Sequence, residues 1–458
     1  GIVHEKKITN ERIPEGWMSG LRAQASELFF IRVKDTRDAL ACISNNFYRS
    51  PSCDIPVIGI TGTNGKTTTT YLIKSILDAG NSHVGLIGTI GNIVKEKEYP
   101  ALHTTPESPD LQKLLREMVS SGCGYVVTEV SSHALSLKRV DYTEFRAAVF
   151  TNLTMDHLDF HKTMGSYYEA KKRLFSELLA ENGTAVINVD DEWGRRLLEE
   201  VSNDKRHATT TYGIYRDADV MALDIESSFS GIAFNLRHGD RSYRVSSSLI
   251  GMPNVYNIIA SVSVAIALNI PCEQIIRGIK DAVPVKGRME GINIGQDFLC
   301  LVDYAHTPDA LERLISSVRD ITERQAISTE ELPHRIITVF GCGGNRDRGK
   351  RPIMGEIATR LSDYVIITSD NPRREDAMGI IREIESGIEK ENYVVMPDRR
   401  DAINTAVRNA GRGDVIIIAG KGHEDYQEIG DVRHRFSDVE VSMEAIANKL
   451  KGARADEA

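Results

Sequence analysis

The chain has no pair of cysteines at a spacing that suits a metal or redox centre. Its six cysteines, Cys42, Cys53, Cys123, Cys272, Cys300 and Cys342, are scattered without a CxxC, which counts against zinc sites and a disulfide framework. It has no apolar run long enough to cross a bilayer. The start, Gly1-Ile-Val-His-Glu-Lys-Lys7, lacks the charged, then apolar, then small-residue order of a signal peptide. Positive charge is not in excess either: 56 Lys+Arg stand against 65 Asp+Glu, a formal charge of -9. That balance counts against a nucleic-acid binder. Internal repeats and low-complexity tracts are also absent. These absences predict a cytoplasmic protein without a membrane span or a nucleic-acid partner.

What is present is the composition of a globular α/β protein. The 458 residues exceed one ordinary core and predict two or three domains. Hydrophobic content of 41% and charged content of 26% fit that class. Short β-branched runs alternate with helical patterns, the mark of parallel sheets. One series of candidate strands lies at 56–61, 125–130, 148–152 and 184–188, and a second at 298–303, 335–340, 364–368 and 414–419. Residues 282–290 carry the Pro and Gly of a domain junction. Residues 212–249 read as short alternating strands in an antiparallel edge insertion, and residues 255–268, rich in Ala and Ile, as a buried helix.

The most informative stretch is Thr61-Gly-Thr-Asn-Gly-Lys-Thr-Thr-Thr69, between a predicted strand and a helix carrying Tyr71, Leu72, Ile76 and Leu77 on one face. Backbone amides and the dipole at such a helix start bind phosphate. Lys66 is placed to reach β- and γ-phosphates and Thr67 to ligate Mg²⁺. The common G-x4-G-K-[ST] pattern has Gly at its first position; here Ile60 stands there and the loop begins at Gly62.

This loop resembles the ATP loop of the Mur ligases, which add amino acids to the peptidoglycan precursor; folylpolyglutamate synthase has a related form. The likeness continues in consistent order from about residue 30 to about residue 450. It implies a three-domain fold: a UDP-binding remnant at 1–53, a P-loop ATPase domain at 54–285 and a Rossmann-like amino-acid-binding domain at 286–458. No Asp-Ser-Arg motif stands near the N-terminus, where these ligases hold uridine, so the first domain is expected to be shortened.

The resemblance also implies site residues. Gly62, Thr63, Asn64, Gly65, Lys66, Thr67 and Thr68 are expected to bind ATP, with Asn257, Arg288, Asp303 and His306 completing the nucleotide site. His103-Thr-Thr-Pro106, Glu129-Val-Ser-Ser-His133 and Asp156-His-Leu-Asp-Phe-His161 flank predicted strand ends, which converge on one edge of a parallel sheet. Glu129 is an ordinary Mg²⁺ ligand. His157 read alone is more often a structural histidine, and Lys171, followed by Lys172 and Arg173, a solvated lysine. The resemblance makes Glu129 and His157 supports of magnesium and Lys171 a carbamylated lysine (N6-carboxylysine) that supports a second magnesium ion. Lys66, His157 and Lys171 are then the catalytic set. Thr104, Thr105, Ser131 and Arg139 match positions that hold the UDP-MurNAc-dipeptide, while Leu137 stands where relatives can have glutamine.

Ser369-Asp-Asn-Pro-Arg-Arg-Glu-Asp376 follows a predicted strand, and Asn-Pro by itself is turn chemistry. Gly341-Cys-Gly-Gly-Asn-Arg-Asp-Arg-Gly-Lys-Arg351 read alone is an anion-binding turn. The resemblance assigns Arg346, Asp370, Asn371, Pro372, Arg373, Gly420 and Glu424 to the incoming amino acid. Arg373 favours meso-diaminopimelate, whose second carboxylate suits a guanidinium, over the lysine used by a sister ligase. A monomeric ATP-dependent ligase extending UDP-N-acetylmuramoyl-L-alanyl-D-glutamate is the expectation. A non-catalytic nucleotide-binding module is the alternative if the first domain is absent.

Overall fold

The computed structural model describes residues 2–4, 30–202, 204, 206–329 and 334–456. Two sheets organise it. The larger has eleven strands. Its parallel centre runs, from one side, through Val84–Ile87, Tyr125–Glu129, Val57–Thr61, Phe145–Phe150, Leu179–Asn188 and Ala208–Gly213. Val57, Ile58, Gly59, Ile60 and Thr61 are all buried, as a strand covered on both faces requires. On one face lie Ile58, Ile60, Leu72, Ile76 and the helix Met252–Ala267. On the other lie Val57, Leu115, Phe145, Tyr168 and Phe175.

The buried helix anticipated at 255–268 is Met252–Ala267, with Pro253 in its first turn and Asn257, Ile258, Val262 and Val264 buried. The expected antiparallel insertion is also present. Val220–Ser228, Gly231–His238 and Arg241–Ser247 form a meander that extends the same sheet at one edge. The strand Val84–Ile87 and the hairpin Asn92–Val94 with Lys97–Tyr99 were not anticipated. Gly85 breaks the apolar run of that core strand, and packing requires it: a Cβ there would lie 2.4 Å from Met118 Sδ.

The smaller sheet has the order Glu290–Ile292, Leu299–Asp303, Val415–Ala419, Ile336–Phe340, Tyr364–Ile367, Tyr393–Val395. All but the first strand are parallel. Four of these were legible as apolar β-branched runs; Tyr393–Val395, three residues at a half-buried edge, was not. The strands end at Asp303, Phe340, Ile367 and Ala419, so the loops that follow share one edge.

The segment between the sheets is held by Gly287, at φ +65, where a Cβ would lie 2.1 Å from His423 N. Glycine is therefore required there. Near the start, Ile2–His4 pairs in parallel with Phe30–Arg32, and Asp35 caps the helix Thr36–Phe47 by accepting from Arg37 N and Asp38 N. Of the remnant expected at 1–53, residues 1 and 5–29 lie outside the described residues. Among the described residues no helix is long and apolar enough to cross a membrane.

Candidate active site

The strand Val57–Thr61 passes through Gly62-Thr-Asn-Gly65 into the helix Lys66–Asp78. Gly65 adopts φ +85 at the helix start without a side-chain cap, so the first-turn amides remain available to an anion. Gly62 adopts φ +145, and a Cβ there would lie 1.8 Å from Thr151 Oγ1. The loop is fixed from below. Thr63 N donates to Asn152 O at 2.9 Å, Asn64 N to Asn152 Oδ1 at 2.9 Å, and Thr151 Oγ1 to Asn64 O at 2.7 Å.

Lys66 Nζ folds back onto Gly62 O at 3.0 Å and Thr63 O at 2.9 Å. Burial holds its pKa below the usual lysine value, against the pull of Glu129 and Asp156. Thr67 Oγ1 donates to Glu129 Oε2 at 3.0 Å. Glu129, 1% exposed, also accepts from Thr89 N at 2.8 Å and Thr89 Oγ1 at 3.1 Å. Thr67 and Glu129 thus offer two hard oxygens beside the phosphate loop, a donor set that fits Mg²⁺ completed by phosphate oxygens and water. Among the described residues no three His, Cys, Asp or Glu side chains form a metal cage.

Lys171 is 1% exposed rather than solvated. Its Nζ donates to Gly62 O at 2.7 Å and lies 4.6 Å from the Tyr167 ring centroid. Burial, and then Lys66, push its pKa well below the ordinary value. His157 sits in left-handed backbone (φ +54) at the start of Leu158–His161, with Nε2 3.3 Å from Asp156 Oδ2. Burial lowers its pKa to about 3 despite Asp156. The ring is neutral at pH 7 and retains a lone pair for a cation. Burial works against ionisation of Asp156, but His157, His306 and Lys350 together hold its pKa below the usual value.

A cleft of about 1220 Å³, counting its open mouth, gathers residues from both sheets. Thr63 to Thr68, Thr104, Glu129, Ser131, His157, Asn257, Arg288, Asp303 and His306 line it. Asn257 Oδ1 accepts from Thr69 Oγ1 at 3.3 Å. Arg288 Nη2 reaches Thr67 Oγ1 at 3.2 Å, and its guanidinium lies 4.7 Å from the Tyr304 ring centroid. Asp303 accepts from Met289 N and Ala305 N, each at 2.7 Å. Burial raises its pKa, opposed by Arg288. His306, lowered to about 4 by burial and then by Lys350, stacks near Tyr304 at 4.6 Å.

Not every expected precursor residue faces this cleft. Thr105 is fully buried, donating to Glu129 O at 2.8 Å and accepting from Ser131 N at 3.0 Å. It shapes the wall that presents Thr104 and Ser131. Arg139 donates to Thr105 O at 3.1 Å and pairs with Glu107 at 2.8 Å. The buried Nε atoms of Arg139 and Arg288 have no hydrogen-bond partner among the described residues, a donor surplus that suits anionic ligands.

The other expected residues meet at the edge of the smaller sheet. Asn371 Nδ2 donates to Glu424 Oε2 at 2.8 Å. Arg373, at φ +51, donates through Nε to Glu428 Oε2 at 3.1 Å and through Nη1 to Gly344 O at 2.8 Å. A Cβ on Gly343 would lie 3.0 Å from Arg373 Nη1, and Arg346 Cγ lies 3.9 Å from the same point. Gly420, at φ +114, leaves room for Asp370, whose Oδ2 would lie 2.8 Å from a Cβ there. Pro372 sits against Gly344, where its carbonyl would lie 1.9 Å from an added Cβ. Gly420 N donates to Asp303 O at 3.1 Å, which joins this group of residues to the wall of the cleft.

Several members of these sites were not picked out from sequence. Asp156 opens the stretch Asp156-His-Leu-Asp-Phe-His161, and Lys421 lies between the expected Gly420 and Glu424. Thr89, Asp309 and Glu428 carry no local signal. Asp309 reaches the loop from the first turn of the helix Pro308–Thr329, accepting from Asn64 Nδ2 at 2.7 Å.

Residues 60–265 match the family described as the Mur ligase middle domain, and residues 287–422 the Mur ligase glutamate ligase domain. A UDP-N-acetylmuramoyl-L-alanyl-D-glutamate–2,6-diaminopimelate ligase of Alkaliphilus metalliredigens is 46% identical over 417 residues, 91% of this chain and 82% of that protein. The ligase of the same name from Caldanaerobacter subterraneus is 45% identical over 426 residues, 92% of this chain and 84% of that protein. A solved structure under this ligase name aligns with a TM-score of 0.64 at 34% identity, covering 93% of this chain and 85% of the other.

Proposed function

The chain belongs to the Mur ligase family, and on that premise we propose that it joins meso-diaminopimelate to UDP-N-acetylmuramoyl-L-alanyl-D-glutamate, with ATP converted to ADP and phosphate. The observation that carries the choice of amino acid is the pocket at the edge of the smaller sheet. It presents the Arg373 guanidinium and the Glu424 carboxylate on segments both hydrogen-bonded to Asn371 or its neighbours. A substrate with ammonium and two carboxylates matches that charge pattern.

The reaction divides between cleft and pocket. In the first step the D-glutamyl γ-carboxylate attacks the γ-phosphorus of ATP, giving an acyl phosphate and ADP. The first-turn amides of the helix Lys66–Asp78 hold phosphate oxygens, and Lys66 swings from the Gly62 and Thr63 carbonyls toward the β- and γ-phosphates. Asn257, Arg288, Asp303 and His306 hold the nucleotide from both sheets. Thr104 and Ser131, braced by Thr105 and Arg139, face the precursor. In the second step the diaminopimelate amine forms the C–N bond, the carbonyl–phosphate bond breaks, phosphate leaves and the amine gives up a proton. Phosphoryl transfer of this kind depends mainly on positioning and charge neutralisation.

Magnesium fits the donor set of Thr67, Glu129 and His157, and would supply positive charge against the phosphates. Lys171 as an amine offers no oxygen to a metal. Its burial and lowered pKa favour the neutral amine, which adds CO₂ to become a carbamate and releases one proton. We include that N6-carboxylysine in the reading.

The deciding assay uses the purified protein with ATP and UDP-N-acetylmuramoyl-L-alanyl-D-glutamate, and measures ADP release with each amino acid. Release that requires the precursor and prefers diaminopimelate to lysine is expected. Preference for lysine would assign the sister activity. Nucleotide binding without ADP release would leave only a binding module.

A further inference from the structure

Lys421 is the one lysine of the amino-acid pocket that the roles above leave unused, and it is fully buried. Buried lysines are rare unless paired. Its Nζ donates to Asn371 Oδ1 at 3.0 Å and to Glu424 Oε2 at 2.9 Å, and lies 5.4 Å from the Tyr426 ring centroid. We propose that Lys421 is a positioning residue for the incoming amino acid, fixing the Asn371 amide and the Glu424 carboxylate so that Glu424 Oε1 faces the substrate ammonium.

The hydrogen-bond inventory supports this assignment. An ammonium group and a backbone N–H are both donors only. Asn371 Oδ1 takes one bond from Lys421 and one from Glu428 N, at 2.9 Å. The amide is thereby locked with Nδ2 toward Glu424, where it donates to Oε2 at 2.8 Å. Oε2 thus receives two donors, from Lys421 and Asn371, while Oε1 receives none among the described residues. One carboxylate oxygen is anchored and the other is presented.

Lys421 also couples the two ends of the pocket. Through Asn371 it braces Glu428, whose carboxylate holds Arg373 Nε at 3.1 Å. The groups for the ammonium and for the second carboxylate therefore depend on one buried cation. Truncating one partner of such a pair leaves the other charge buried and misdirected.

This inference rests on the ligase reading, and the two fail separately. Diaminopimelate-dependent ADP release by the unmodified protein tests the reading; its variants test Lys421. Lys421→Met keeps the apolar stem and removes the donor. It is expected to raise the KM for diaminopimelate by about tenfold to a hundredfold, the worth of a charged hydrogen bond. The KM values for ATP and for the dipeptide precursor should remain within about twofold, because most residues assigned to those substrates line the cleft and none of them is bonded to Lys421. In a Glu424→Gln background the same substitution should add little, since the two act on one contact. A diaminopimelate KM unchanged in folded Lys421→Met overturns the proposal, as does an equal rise in all three KM values or a fully additive double variant. If Lys421→Met does not fold, Lys421→Gln, which removes the charge and is one bond too short to reproduce both contacts, is carried through the same assays with the same criteria.

Discussion

Lys66 and Lys171 donate to the same carbonyl: Gly62 O accepts from Lys66 Nζ at 3.0 Å and from Lys171 Nζ at 2.7 Å. One neutral oxygen does not compensate two buried ammonium groups, and the charge of Lys66 is among the causes that depress Lys171. On the proposed reading the pair divides its roles. Burial lowers the pKa of Lys66, but Glu129 and Asp156 oppose that shift, which suits it to serve as the cation for phosphate. Lys171, with no carboxylate bonded to it, would be the amine that accepts CO₂.

The first prediction follows from that division. Lys171→Met should reduce kcat by about a hundredfold or more while nucleotide binding persists, because it removes a group that organises the reacting phosphate rather than one that holds the base. Intact-mass spectrometry under bicarbonate should show the unmodified protein heavier by one CO₂, a difference missing in the variant. Acidification protonates the amine and should reverse the addition. A protein whose mass and activity ignore bicarbonate would remove the carbamate from the reading.

Glu129 bonds Thr67 Oγ1 at 3.0 Å and is buried at 1% exposure. Glu129→Gln preserves shape and one hydrogen bond but deletes the negative charge. The Mg²⁺ concentration for half-maximal activity should rise by about tenfold to a hundredfold, the usual scale for a lost metal support. Titration of ADP release against Mg²⁺ checks this. An unshifted midpoint would place the ion elsewhere.

His161 is 7% exposed, and its Nε2 sits 2.9 Å from Ser132 Oγ. Burial above all lowers its pKa to about 4, below the roughly 6.5 of an unfolded histidine. The unfolded chain binds a proton between those values and the folded chain does not, so the stabilisation is complete above about pH 6.5. It falls with the pH toward 4, by about 1.4 kcal/mol per unit for one such group. Melting temperature should drop from pH 7 to pH 5, and His161→Gln should show a smaller drop. Equal slopes in both proteins would mean that His161 titrates normally.

The phosphate loop was legible because its parts are contiguous: strand, glycine turn and helix follow within a few residues, each with its own local physics. The same holds for the longer β-branched strands of both sheets, though not for Val84–Ile87 or Tyr393–Val395. Lys171 was not legible from its surroundings. Charged neighbours Lys172 and Arg173 suggest solvent, yet helical geometry turns Lys171 inward with Tyr167 and Leu174, and only the family resemblance pointed there. Glu428 was invisible for another reason. It acts on Arg373 from 55 residues away, through a hairpin, Tyr426–Ile429 with Val432–Arg435, that carries no motif. Contiguous chemistry can be read locally; chemistry assembled by tertiary packing cannot.

Arg373 gives the test of amino-acid choice. Its left-handed backbone (φ +51) is held by donation from its N to Glu428 O at 2.9 Å and by acceptance at its O from Gly430 N at 2.7 Å. Glu428 occupies Nε and Gly344 O one proton of Nη1, which leaves the outer edge of the guanidinium for a second carboxylate. A lysine side chain offers no anion there, so Arg373 would contribute to binding diaminopimelate and not lysine. Arg373→Ala should therefore raise the KM for diaminopimelate by about tenfold to a hundredfold, leave the KM for ATP within about twofold, and narrow the preference for diaminopimelate over lysine. Arg373→Lys should restore little, because a point charge on a flexible stem does not reproduce a planar fork already clamped on one side. Full recovery by lysine at this position, or an unchanged preference in the alanine variant, would show that the second carboxylate is read by another group.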